Sequence, residues 1–202
     1  MTDTSQNGEA TIVAGCFPPD HKGFLVEIGA WEPVNFSNSR LFIERGWDAV
    51  LCEFSPMPVH KLLQAYDAET GDGRIKIVQA AITACDQHVR EFSITEDALS
   101  TDSLEQMSRW GSAGGYYGAL WVPTLTWDKL KDQFFPKRIP DFVSVDTEGS
   151  SVELAIVIMQ SNWRPKVLVV EHNGRDIELW QVAKPLGYKM VDKTQENLIL
   201  CR

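Results

Sequence analysis

Residues 23–30, Gly-Phe-Leu-Val-Glu-Ile-Gly-Ala, constrain this chain most. A short apolar run bounded by turn residues reads as a buried strand, here ending in the acid Glu27 and then Gly29. Residues 47–54, Trp-Asp-Ala-Val-Leu-Cys-Glu-Phe, repeat the plan and end in Glu53. Near-continuous apolar strands are buried on both faces, which calls for a parallel sheet covered by helices. In such a sheet, a glycine turn after one strand and an acid at the end of the next form the usual grip on a ribose. The two runs together predict an open α/β sheet with a nucleoside at the carboxyl ends of its strands.

The rest of the chain alternates in the same way. Strands are expected over 24–28, 49–52, 75–78 running into 79–82, 89–94, 142–145 and 167–170. Residues 188–191 and 197–200 read as a terminal antiparallel pair. Helices are expected over 35–45, 127–135, 152–159 and 177–186. Another opens at Pro56, with Val59, Leu62, Leu63 and Tyr66 at helical spacing. Residues 11–17 form a strand or a packed helix segment. Strand-helix alternation means a mostly parallel, Rossmann-like α/β sheet with helices on both faces and an antiparallel C-terminal edge. Residues 1–22 read as a leader packed on one domain spanning 23–202. Within it, residues 95–122 mix four glycines with Trp110, Tyr116, Tyr117 and Trp121 and show no period. They read as a substrate-side insertion or as a surface loop with packed aromatics.

Composition narrows the function. A net charge of −9 argues against a nucleic-acid surface, which needs clustered Lys and Arg. No run approaches the ~20 apolar residues that span a bilayer. The polar first ten residues lack an apolar signal core. Cys16, Cys52, Cys85 and Cys201 form no C-x-x-C pair, so zinc spacing is missing. Three of the four lie among apolar residues, so buried reduced thiols in a cytoplasmic protein are the expectation.

Four strands finish in acids: Glu27, Glu53, Asp146 with Glu148, and Glu171 with His172. In a parallel sheet these ends share one edge. Clustered carboxylates need a compensating ligand amine, sulfonium, metal ion or His172. A dinucleotide would want G-x-G-x-x-G after the first strand. The turn here has one glycine and then Trp31-Glu32-Pro33, which disfavours NAD and suits a ligand with an amino group and no phosphate, such as S-adenosylmethionine.

These motifs resemble the FkbM family of S-adenosylmethionine-dependent methyltransferases, of the class I fold. The resemblance rests on Ser5-Gln6-Asn7-Gly8-Glu9, where Ala10 replaces an Asp, and on residues 23–30 and 35–39. It continues through Gly46-Trp47, Glu53-Phe54-Ser55-Pro56, Gln79-Ala80-Ala81-Ile82, residues 123–128, residues 143–149 and Val169-Val170-Glu171-His172. The family has an Asn and a small residue where this chain has Trp31-Glu32-Pro33. The resemblance implies a methyltransferase, by expectation one that O-methylates a hydroxyl on a small molecule or sugar. It implies cofactor contacts from Glu27, Gly29, Ala30, Trp31, Ser37, Glu53, Phe54, Ala81 and Asp146. Asp146, His172 and Glu148 are the candidate catalytic residues, with His172 as base and Glu148 or Glu171 orienting it. A divalent metal on Asp146, Glu171 and His172 is the less favoured alternative. The rival functions are a catalytically degenerate S-adenosyl ligand-binding module and, less favoured, an NAD-dependent oxidoreductase. Neither a nucleic-acid nor a membrane partner is expected; an oligomer is compatible with the sequence.

Overall fold

A computed structural model describes residues 2–94 and 118–202. Its main sheet has seven strands: β1 (Phe24–Ile28), β2 (Asp48–Glu53), β3 (Ile75–Gln79), β7 (Phe142–Val145), β8 (Val167–Glu171), β9 (Lys189–Lys193) and β10 (Asn197–Cys201). Their order across the sheet is β3-β2-β1-β7-β8-β10-β9. Strands β3 to β8 in that order pair in parallel. β10 slots between β8 and β9 and runs antiparallel to both. The expected terminal hairpin is therefore present, with its second strand inside and its first at the rim.

Period-two alternation divides the core between the two faces. Phe24, Val26 and Ile28 of β1 point to one side with Val50, Val143 and Leu168. They pack beneath α5 (Trp127–Phe134), α6 (Ser151–Gln160) and α7 (Asp176–Ala183). Leu25, Leu51, Phe142 and Val169 point to the other side. There they meet α1 (Glu9–Ala14), α2 (Arg40–Glu44) and α3 (Pro56–Ala65), with the short α4 (Asp67–Gly71) following α3. Residues 11–17 thus resolve towards the helical reading, since α1 buries Ala10 and Val13. Leu63, placed on the buried face of α3 by its spacing, is 46% exposed.

Three departures have physical causes. The helix expected from residue 35 begins at Arg40. Glu27 accepts hydrogen bonds from the Asn38 backbone N–H (2.9 Å) and the Ser39 hydroxyl (2.5 Å). Phe36 takes a left-handed φ of 59°, so the segment before Arg40 is held as an irregular turn. The strand expected over 75–82 breaks at Ala80. Its second part, β4 (Ala81–Thr83), enters a separate three-stranded sheet of order β4-β6-β5. β5 (Val89–Ile94) falls where alternation places it. β6 (Gly118–Thr126) takes up the last residues of the stretch read as an insertion, and it leaves Trp121 66% exposed. Residues 95–117, with Trp110, Tyr116 and Tyr117, lie outside the described residues. Among the described residues, no helix is long and apolar enough to cross a membrane.

Candidate functional site

The strand order reverses between β1 and β7: the chain builds β3-β2-β1 outwards on one side and β7-β8 on the other. Ligands of open α/β sheets bind at this switch point, beyond the carboxyl ends of the strands. A cavity of about 320 Å³ opens there, within the range of about 300–1,000 Å³ typical of small-molecule sites.

Gly29 makes the cavity's floor. Its φ is +82°, and a Cβ built on it would lie 1.6 Å from the carbonyl oxygen of Asp146. Only glycine lets the turn after β1 pass so close to the end of β7. The N–H groups of Gly29 and Ala30 donate to the Cys52 carbonyl at 2.9 and 3.0 Å, which ties the turn to β2. Glu53, at the end of β2, is 6% exposed. Its Oε1 accepts from the Ser55 N–H (2.7 Å) and its Oε2 from the Trp31 N–H (3.0 Å). Burial raises its proton affinity, and these backbone N–H groups oppose that rise. A carboxylate has more acceptor positions than these two bonds fill, so Glu53 can still receive hydroxyl donors from the cavity.

Aromatic rings flank the cavity on two sides. Phe54 packs on Phe92 of β5, ring centres 4.4 Å apart. This is the role of the small sheet: it brings an apolar wall to the β2–β3 side, beside Ala81. Trp31, at a left-handed φ of 39°, stacks on Phe36 at 5.7 Å. The Trp31 turn is pinned from outside. Tyr66 Oη and Arg40 Nη1 donate to the Pro33 carbonyl, and Glu32 pairs with Lys61 and Asn35. Glu32 is therefore engaged outside the cavity, although the sequence had counted it towards an acid-rich ligand turn.

At the β7 end stand three carboxylates. Asp146, Glu148 and Glu171 each offer an oxygen within 4.8 Å of the others. Burial, then the charges of Glu171 and Glu148, raise Asp146 well above the ordinary carboxylate range. Burial raises Glu171 as well, against the Ser151 hydroxyl that donates to its Oε2 at 3.0 Å. The Asp146 and Glu171 carboxyls are close enough that each influences the other's titration. Asp146 Oδ1 is buried with no hydrogen-bond partner among the described residues.

The structure thus brings Gly29, Ala30, Trp31, Glu53, Phe54, Ala81, Asp146 and Glu148 together around one cavity. Glu27, Ser37, Glu171 and His172 are not on its wall. Glu27 falls on the α2 face of β1 by alternation, where it organises Asn38 and Ser39. Ser37 Oγ lies 3.2 Å from Ser39 Oγ in the same buried polar patch. His172 is 5% exposed, and its Nδ1 accepts from the Gly174 N–H at 3.0 Å. The acidic trio has Glu148 in the place that the sequence reading gave to His172. Gln6, Phe36, Thr83 and Phe92 also line the cavity. Gln6 and Phe36 carried a sequence signal, as parts of the leader motif and of the motif at residues 35–39; Thr83 and Phe92 carried none.

This topology is the class I methyltransferase fold. No family model matches the chain, and no curated protein matches it in sequence. Solved structures do match. The methyltransferase FkbM from Methylobacillus flagellatus KT superposes with a TM-score of 0.50 at 13% identity, over 90% of this chain and 44% of that one. The present chain therefore spans less than half the length of that relative. A Streptococcus pneumoniae protein assigned as a tRNA (m1A22) methyltransferase gives 0.50 at 11% identity, over 97% of this chain and 70% of that one. The Escherichia coli protein yhhF, assigned as a methyltransferase, gives 0.50 at 12%, over 100% and 88%.

Proposed function

We propose that the chain binds S-adenosylmethionine in this cavity and methylates a hydroxyl on a small molecule or sugar. The observation that carries the reading is Glu53. Its buried carboxylate sits at the end of β2, beside the Gly29 turn and on the rim of a cavity at the sheet's switch point. The residues fit the cofactor. Glu53 would accept the two ribose hydroxyls, a charge-assisted contact. Phe54, Phe92 and Ala81 would hold the adenine on the β3 side. Asp146 Oδ1, buried and without a partner, would face the ammonium of the amino-acid end.

When bound, the cofactor supplies an electrophilic methyl group. The protein's part is to position the acceptor in line and remove its proton. Asp146 and Glu148 are the acids at the β7 end of the cavity wall, and the raised proton affinity of Asp146 suits it to take a hydroxyl proton. His172 lies off the wall and is assigned a supporting role through Glu171. The same trio of oxygens has a composition that a hard divalent cation accepts, so a metal-assisted variant would use Asp146, Glu148 and Glu171. Among the described residues, neither Lys nor Arg lines the cavity, and the chain's net charge is −9. Both features favour a small acceptor over a polyanion.

A second reading has its own observation. Trp31, stacked on Phe36, places a bulky ring on the cavity wall in the turn after β1, which suits a module that binds an S-adenosyl ligand without turning it over. Labelled methyl transfer from S-adenosylmethionine into a panel of sugars, phenols and short RNAs tests the choice. Label in a hydroxyl compound supports the first reading. Label only in RNA contradicts the small acceptor. Tight cofactor binding with no transfer to any acceptor favours the binding module.

A further inference from the structure

The N-terminal leader is built into the site. Asp3 accepts hydrogen bonds from the Ser5 N–H (2.9 Å), the Ser5 hydroxyl (2.5 Å) and the Thr11 N–H (2.7 Å), folding residues 3–11 on themselves. Two sets of tethers then stretch this fold across the sheet's edge. On one side, the Thr4 hydroxyl donates to the Ser37 carbonyl, in the segment that follows β1 (3.4 Å). On the other, Asn7 Nδ2 donates to Glu196 Oε2 (2.8 Å), and Glu9 accepts from Asn197 Nδ2 (2.9 Å) and Thr194 Oγ1 (3.3 Å). Asn197 opens β10 and pairs with Glu171 at the end of β8. Residues 4–7 therefore run from beside β1 to beside β8, over the end of β7 between them. That is the Asp146 half of the cavity, opposite the Glu53 and Phe92 half, and Gln6 of this strap lines it.

We infer that Gln6 recognises the amino-acid end of the bound nucleoside, with Glu9 as the positioning residue that fixes the strap. The inference rests on the cofactor reading of the cavity. An α-amino acid presents a carboxylate as well as an ammonium. Asp146 and Glu148 can meet the ammonium, but they repel the carboxylate, and among the described residues the cavity offers it neither Lys nor Arg. A neutral N–H donor is the remaining solution. Asn35 Nδ2 donates to Glu32, and the Thr147 and Ser150 hydroxyls bond to each other. The Gln6 amide makes no such hydrogen bond with the described residues, and its two N–H groups and carbonyl can serve both ends of the zwitterion.

The test compares two ligands by calorimetry on the whole chain. S-Adenosylhomocysteine carries the amino-acid end, and 5′-methylthioadenosine lacks it. Gln6→Ala should weaken S-adenosylhomocysteine by about tenfold, the scale of one hydrogen bond to a charged group, and leave 5′-methylthioadenosine unchanged. Gln6→Glu, which sets a carboxylate against a carboxylate, should weaken the first ligand further. Equal affinities in wild type and Gln6→Ala, or equal losses for both ligands, would overturn the inference while leaving the cofactor reading intact. Wild-type protein that binds neither ligand would overturn both.

Discussion

Glu53 and Glu27 end adjacent strands, yet they do opposite things. Glu53 faces the cavity and braces two backbone N–H groups, so its loss has two readouts. Glu53→Ala should weaken S-adenosylhomocysteine binding measured by calorimetry by about 10- to 150-fold, a loss of about 1.5–3 kcal/mol. It should also lower urea stability by a similar amount, because the Ser55 and Trp31 N–H groups lose their acceptor. A folded variant with unchanged affinity would refute the ribose role. Glu27 is buried on the α2 side, and burial lifts its carboxyl to about 7 from an ordinary 4.5. The folded protein then binds this proton more tightly than the unfolded chain does. The resulting stabilisation is full below about pH 4.5 and is lost as the pH rises to about 7. Glu27→Gln should match wild type near pH 4.5 and be the more stable protein at pH 8, in paired urea titrations. A gap that does not vary with pH would contradict the shift.

At the scale of elements, the strands were the legible part. β1 and β7 fall where the apolar runs place them, because strands buried on both faces leave little choice of residue, and β5 falls where alternation places it. α2 was less legible, since its start depends on Glu27, a residue that is close in space and distant in sequence. β6 was hidden because Pro123 and the glycines before it mimic a loop, and only pairing with β4 and β5 makes the strand. Strand ends could be read from the sequence, but the direction each acid faces could not. Alternation sends Glu27 behind the wall, and His172 turns to the Gly174 N–H. The leader was noticed as a motif without its purpose. In the structure Glu9 is wholly buried, and it accepts from Asn7, Thr194 and Asn197. Glu9→Ala should therefore cost about 2–3 kcal/mol of stability by denaturant titration, from the donors it strands. A cost near zero would mean that the strap is not anchored there.

The molecule as a whole places its cavity where distant parts of the chain meet. β1 pairs with β2 on one side and with β7, more than a hundred residues later, on the other. The leader adds Gln6 from one end of the chain, and the small sheet adds Phe92 from its middle. The cavity is lined from β1, β2, β4, β5, the turn after β7 and the leader, so a ligand that fits it should stabilise the folded chain against unfolding. Thermal unfolding with S-adenosylhomocysteine, with NAD as the control, tests this most directly. At a hundred times its dissociation constant, S-adenosylhomocysteine should add about 2.7 kcal/mol of stability and raise the midpoint, while NAD leaves it unmoved. No shift at millimolar S-adenosylhomocysteine, or an equal shift with NAD, would contradict the assignment of the cavity to an S-adenosyl ligand.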